Sequence, residues 1–452
     1  MIKIISTIKK HYFDNTVELS KLSKTFLLWA IGLGLVYVSN IYLIKLIGLN
    51  QYGKYTVFIT WASLLSTILL FGWDGYLIQK IPQLKKNDDG KIINGSILYK
   101  AAITFLVLYC IAVAVSICII WFKKDNSGFL QKDNLFFFLM LTFLFAVISI
   151  LKAFLRVFNI ISKVQWVEDI LKPLALFAVI FFYYNRQLNL SLSTLYIMNC
   201  IAFCLVLILL GGYCIKTYNN NFEIRNAYKL NEKWLSKCFY FMCIFLGYTV
   251  FSKMELLFLG YFSNNEDAAK YQILLRISDL VILPDFLFNY FLPQKFAHHF
   301  ANNRQEDAKH LFQNSSTTIL LLQIGCFIGV SIIGYFYLQS FNIATADTYW
   351  LMVLLCVAPV FYSLFGSSNL VLKTSGNEKY SFYALLIVLP IEIVANYIFT
   401  QAYGLSAAVI ISTASVLLYT FLLSYFAFLK LGLYNSVTRY MFLTWVAKKD
   451  KI

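Results

Sequence analysis

Twelve stretches of this chain run for about twenty residues with almost no charged side chain, the length an α-helix needs to cross a bilayer. They lie near 25–47, 55–78, 97–121, 135–155, 168–184 and 191–215, then near 236–260, 271–292, 316–338, 348–372, 380–400 and 404–430. The runs are continuously apolar, whereas barrel strands alternate over about ten residues, so they read as helices. Composition agrees, with 60% hydrophobic and 13% charged residues against roughly 45–50% and about 25% in soluble domains. That leaves too little polar surface to cover a water-soluble globule. It also excludes disorder, collagen and a disulfide scaffold. The first run is too long for a signal-peptide core and no small-residue cleavage site follows it, so it counts as a span. The expected fold is an all-α integral membrane protein of about twelve transmembrane helices.

The net charge of +16 would suggest nucleic acid in a soluble chain. Here its position decides otherwise. About 26 Lys and Arg fall on the side of both termini and alternate loops, including Lys3, Lys80, Lys152, Lys216, Lys295, Lys373 and Lys448, against about six opposite. The excess records topology, with both termini cytoplasmic and no nucleic-acid partner. Residues 1–24 mix Ile, Phe and Leu with Lys and read either as an interfacial amphipathic helix or as a solvated tail.

A polar stretch at 216–235 divides the spans into six and six: an N-lobe, 25–215, and a C-lobe, 236–430, followed by a cytoplasmic tail, 431–452. An even number per half implies a repeat related by a pseudo-two-fold axis along the membrane normal. In each half a span ends in Gly (Gly48, Gly260), a polar loop follows, and a Tyr (Tyr52, Tyr271) opens the next span.

The run LIKLIGLNQYGKYTVF (Leu43 to Phe58), followed by LLFGWDGYLIQKIPQ (Leu69 to Gln83), resembles the opening of the polysaccharide-type flippases of the multidrug/oligosaccharidyl-lipid/polysaccharide (MOP) exporter superfamily. IEIVANYIFTQAYGLSAAVIISTAS (Ile391 to Ser415) is similar to that family's late signature, although Gln401–Ala402–Tyr403–Gly404 lacks the family's usual Pro. The resemblance covers the whole chain. It implies movement of an undecaprenyl-diphosphate-linked oligosaccharide between leaflets of the bacterial cytoplasmic membrane, for O-antigen, lipopolysaccharide or capsule synthesis. It implies no enzyme activity and no cofactor beyond a proton or sodium gradient. The partners implied are the lipid-linked oligosaccharide, membrane lipids, and the polysaccharide polymerase with its chain-length machinery.

Charges inside spans point to where transport takes place, because each costs about 2.5–3.5 kcal/mol at a helix centre. The seventh span carries Lys253 and Glu255; the eighth carries Arg276 and Asp279, with Asp285 further in. Lys253 and Glu255 are two apart and do not share a helix face, whereas Arg276 and Asp279, three apart, do. Counted from the turns at Gly260 and Tyr271, Lys253 and Asp279 lie roughly 10–12 Å below the outer end of a hairpin. The four groups are therefore expected to meet at one level. Either Lys253 and Arg276 bind a diphosphate with Glu255 and Asp279 orienting them, or the four lock the half together as salt bridges. Glu392, near a midplane and one turn from Asn396, is a candidate coupling-ion site or a hydrogen-bonded structural group. Lys45 can bind substrate or snorkel to headgroups. Asp74, between Gly72 and Gly75, reads as a cap or a ligand. Pro173, Pro284, Pro359 and Pro390 interrupt spans, and Gly32, Gly34, Ala407 and Ala408 permit close helix approach.

Catalytic and metal-binding patterns are missing from the sequence. The four His show no His-Glu-x-x-His spacing, the nine Cys no paired metal spacing, and no Walker A sequence occurs. Two other readings compete: a drug/cation antiporter of the same superfamily, and a membrane polysaccharide polymerase. The first expects an acidic, aromatic cavity and the second a long external loop.

Overall fold

A computed structural model of the chain describes residues 16–81, 96–122, 132–158, 160–221, 234–302 and 304–434. All regular structure among them is helical. Most of the amphipathic segment, the centre of the 216–235 linker and most of the 431–452 tail lie outside the described residues.

The chain forms two compact units. The first, up to Val250, holds α1 (Thr16–Leu70), α2 (Trp73–Lys80), α3 (Ser96–Phe122), α4 (Lys132–Val157), α5 (Ile161–Gln165), α6 (Lys172–Asn185), α7 (Leu192–Asn221) and the first part of α8 (Trp234–Phe262). The second, from Phe251, holds the rest of α8, then α9 (Asn265–Ala301), α10 (Gln305–Ser340), α11 (Ala346–Leu364), α12 (Ser368–Thr374), α13 (Glu378–Ala395) and α14 (Gln401–Leu431). The packing boundary falls inside α8, past the 216–235 stretch where composition changes. The reason is visible at Gly72, whose added Cβ would strike the backbone of Cys238 and Met242, so the start of α8 packs into the first unit.

Eight segments are long and apolar enough to cross a membrane, among the described residues. Two of them, Leu28–Leu70 and Glu378–Leu431, span 43 and 54 residues, enough for two crossings each at about 1.5 Å per residue. Each is broken by a glycine that leaves the helical region: Gly48 (φ 78°, ψ 164°) and Gly404 (φ 53°, ψ −128°). With the charged α9 and the α5–α6 run, the twelve spans are accounted for. Outward faces stay apolar, as at Ile208, Ile332 and Phe336, each about two-thirds exposed or more. Water would not tolerate that face; hydrocarbon does.

Polar side chains within the apolar helices satisfy themselves locally. In α1 the hydroxyls of Ser39, Thr56, Thr60, Ser63, Ser66 and Thr67 donate to carbonyls three or four residues back. The first unit's core gathers Phe58, Trp73, Tyr76, Leu141, Phe154 and Tyr196. Trp73 is fully buried there and donates its indole N–H to Thr104 Oγ1.

Two π-helical turns interrupt the helices, Trp166–Leu171 between α5 and α6 and Asn396–Thr400 between α13 and α14. Gly32 lets α1 lie directly against the Asp169 carbonyl in the first of these, whereas Gly34 is exposed and a Cβ there would meet nothing within 4 Å. Pro173 lies two residues past the π-helical turn, inside a helical run unbroken from Ile161 to Asn185, so it interrupts the helical bonding there.

Candidate functional site

The sequence concentrates its unexpected charges in α8 and α9, and the second unit holds them. α8 continues past Gly260 to Phe262, so the turn falls four residues later than the glycine suggests. Asn264 makes the turn by accepting the Asp267 amide at 2.7 Å, and Ser263 donates to Asp267 Oδ2 at 2.6 Å. Gly404 covers this turn. A Cβ there would stand 3.0 Å from Asp267 Oδ2 and 3.2 Å from Ser263 Oγ, and its φ of +53° suits glycine. The chain thus turns without the family's Pro, Gln401 being ordinary α-helix.

Lys253 and Glu255 point about 200° apart around α8, because each residue adds about 100°. They therefore enter different surroundings, and the four groups do not converge. Lys253 lies within electrostatic reach of Arg276 and Asp279. Arg276 Nη1 stands 3.5 Å from Asp279 Oδ2, with both side chains more than a third exposed. This trio sets two basic groups beside one acidic group, with Arg276 exposed and Lys253 and Asp279 half-buried.

Glu255 turns the other way and is 1% exposed. Its carboxyl reaches the side chains of Glu392, Tyr271 and Ser412. Glu392, on α13, and Tyr271, on α9, are also 1% exposed. Glu255 Oε1 and Glu392 Oε2 have no hydrogen-bonding partner. Two buried carboxyl groups from different helices therefore lie within reach of each other, with two hydroxyls alongside. Asn396 is fully buried but engaged along its own helix: Nδ2 donates to the Glu392 carbonyl at 3.1 Å, and Oδ1 accepts from Thr400 Oγ1 at 3.0 Å. It shapes the π-helical turn beneath Glu392.

Asp285, also buried, accepts from Asn289 Nδ2 at 2.6 Å, one turn away on α9. Lys45 is exposed three residues before the break at Gly48. Asp74 sits in the first turn of α2 and accepts the Gly75 amide at 2.9 Å, where a carboxylate also suits the helix dipole. Sequence reasoning missed Tyr271 and Ser412, since a Tyr and a Ser among 31 Tyr and many hydroxyls carry no distinguishing signal. It also missed an ion pair of the first unit, Lys152 Nζ to Glu168 Oε1 at 3.0 Å, joining α4 to the π-helical turn. The Glu255–Glu392 pairing was not expected: the sequence reading set Glu255 with Lys253, Arg276 and Asp279, and only the two-residue spacing indicated that it leaves the Lys253 face.

No curated protein sequence matches the chain. Among solved structures, it resembles a lipid II flippase MurJ in an inward closed conformation, with a TM-score of 0.64 at 15% identity over 90% of this chain and 89% of that one. An outward-facing multidrug resistance MATE family transporter of the MOP superfamily gives 0.60 at 12% identity over 91% and 95%. A MOP superfamily transporter from Pyrococcus furiosus gives 0.57 at 12% identity over the same shares. At these identities the likeness establishes the fold, that of MOP superfamily transporters and of a multi-pass membrane protein. A family model for polysaccharide biosynthesis proteins matches residues 21–291, more than half of the chain. The chain belongs to that polysaccharide biosynthesis protein family.

Proposed function

We propose that this chain is a flippase of the bacterial cytoplasmic membrane that moves an undecaprenyl-diphosphate-linked oligosaccharide from the inner to the outer leaflet, for O-antigen or capsule synthesis. It works by alternating access and is driven by a proton or sodium gradient, with both termini cytoplasmic. The observation that carries this reading is the separation of charge in the second unit. A reachable, net-positive trio is suited to a diphosphate, because Lys and Arg make charge-assisted hydrogen bonds to phosphate oxygens. A buried carboxyl pair is suited to a small monovalent cation or a proton, since two bare carboxylates in contact repel and need one of them between. Family membership supports the polysaccharide setting.

In this reading Lys253 and Arg276 engage the diphosphate, and Asp279 holds Arg276 in place. Glu255 and Glu392 hold the coupling ion, with the Tyr271 and Ser412 hydroxyls as neutral partners and Asn396 fixing the Glu392 backbone. Lys45 and Asp74 take lesser roles, at the headgroup level and in the first turn of α2.

The test is Lys253→Ala and Arg276→Ala in a strain lacking its own copy, scored for surface polysaccharide and for membrane abundance. Loss of polymer at normal abundance is expected; normal polymer with either change would refute the assignment. Accumulation of lipid-linked units on the cytoplasmic face of the deletion strain separates a flippase from a polymerase.

A further inference from the structure

Where α13 begins and α14 ends, two lysines from different helices meet on one aromatic ring. Lys379 stands in the first turn of α13 and Lys430 in the last turn of α14. Their Nζ atoms lie 5.4 Å and 5.1 Å from the centre of the Tyr380 ring, inside the roughly 6 Å over which a ring attracts a cation. The ring itself is half-buried and fixed in place, 5.5 Å from Phe426 on α14 and edge-on to Tyr383 at 5.9 Å. Both lysines are exposed.

The charge of this pair is unbalanced. Among the described residues neither lysine has a carboxylate partner. Glu378 precedes Lys379 along the chain, but neighbours one apart on a helix do not face each other. Two like charges therefore share one ring and repel. The helix dipole favours only one of them: a cation suits the last turn of α14 and is unfavourable in the first turn of α13. One snorkelling lysine needs no ligand. Two drawn together from separate helices, without an acid, have the charge of a phosphate site.

Location narrows the anion. Tyr380 opens one apolar run and Lys430 closes the next. One to two turns deeper, Tyr383, Leu386 and Ile387 turn outward and are about half exposed. The pair thus marks the level where an apolar face meets water, on the side that carries most of the chain's Lys and Arg. A phospholipid places its phosphate at that level and its acyl chains against that face, whereas a free phosphate matches the charges alone.

We propose that Lys379 and Lys430 hold the phosphate of an anionic phospholipid of the inner leaflet, beside the Tyr380 ring. The site needs the orientation given by the Lys and Arg count and is independent of the cargo. So bound, the lipid joins the ends of the two helices that supply Glu392 and Ser412.

The test uses the full chain in phosphatidylcholine nanodiscs doped with phosphatidylglycerol that carries a headgroup diazirine, and maps adducts by mass spectrometry. Adducts are expected within residues 373–383 and 426–434. Unlabelled phosphatidylglycerol should displace them, and added phosphatidylcholine or inorganic phosphate should not. Lys379→Gln with Lys430→Gln should lower them by about tenfold or more, each lysine beside anionic lipid being worth roughly fivefold. Lys379→Arg with Lys430→Arg should keep most of them. Lys163→Gln with Lys216→Gln removes the same charge from exposed lysines of the first unit and should leave these adducts unchanged. Equal loss in the two Gln double variants would overturn the proposal in favour of bulk surface charge. Displacement by inorganic phosphate would overturn it in favour of a free anion. Stronger displacement by undecaprenyl diphosphate than by phosphatidylglycerol would hand the site to the lipid-linked cargo. Absence of displaceable adducts there refutes the site and leaves the flippase reading untouched.

Discussion

Replacing the buried carboxyls by their amides, Glu255→Gln and Glu392→Gln, distinguishes a coupling site from a packing contact. The amides keep side-chain volume, so neither change opens a cavity. What they remove is a charged ligand, at positions 1% exposed where water cannot substitute. A hydrogen bond to a charged group is worth about 1.5–3 kcal/mol, which at about 1.4 kcal/mol per factor of ten corresponds to a roughly ten- to hundredfold loss of ion-driven transport for each single change. If both residues serve one ion, as proposed, the double variant should lose no more than the worse single one, giving an interaction energy as large as either effect. The assay is transport in proteoliposomes with and without an imposed proton or sodium gradient, at matched protein content. Additive losses, with the double variant falling by the product of the two single factors, would refute a shared ion. So would retained gradient dependence in Glu392→Gln.

Other expectations concern stability and are read from thermal unfolding in detergent. Gly72→Ala puts a Cβ against the Cys238 and Met242 backbone at φ +74° and should cost about 2–5 kcal/mol, from left-handed strain plus overpacking; an unchanged melting temperature would contradict that packing. Thr104→Val removes the acceptor for the Trp73 indole and should cost about 1–3 kcal/mol, while Thr104→Ser should be nearly neutral. For the partly exposed Lys152–Glu168 pair, a double-mutant cycle of Lys152→Met and Glu168→Gln should give a coupling of about 1 kcal/mol.

The membrane architecture was legible in the sequence because it depends on the length of apolar runs and on glycine. The break at Gly48 falls between two adjacent runs and that at Gly404 on the first residue of the last run, and both glycines have positive φ. Helix ends were less legible. α9 runs on to Ala301 and α10 begins at Gln305, well outside the apolar runs at 271–292 and 316–338. A helix need not stop where hydrocarbon does, and these extensions carry charges such as Glu306 and Lys309, which pair at 3.9 Å. Spacing likewise indicated that Lys253 and Glu255 part company, and that Arg276 and Asp279 do not. It could not indicate that Glu255 meets Glu392, 137 positions later, because that contact depends on how α8 and α13 pack. The π-helical turns have no signature in composition at all.

The central claim is that the chain moves a diphosphate-linked lipid using Lys253 and Arg276. The direct measurement is translocation of a labelled polyprenyl-diphosphate oligosaccharide across proteoliposomes, read by its accessibility to an external sugar-modifying reagent. Wild-type protein should move the label when a gradient is imposed. Lys253→Ala and Arg276→Ala should each be slower by about tenfold or more, the loss of one charge-assisted contact to phosphate. Movement of the lipid at wild-type rates by both variants, or none by the wild-type chain, would contradict the account.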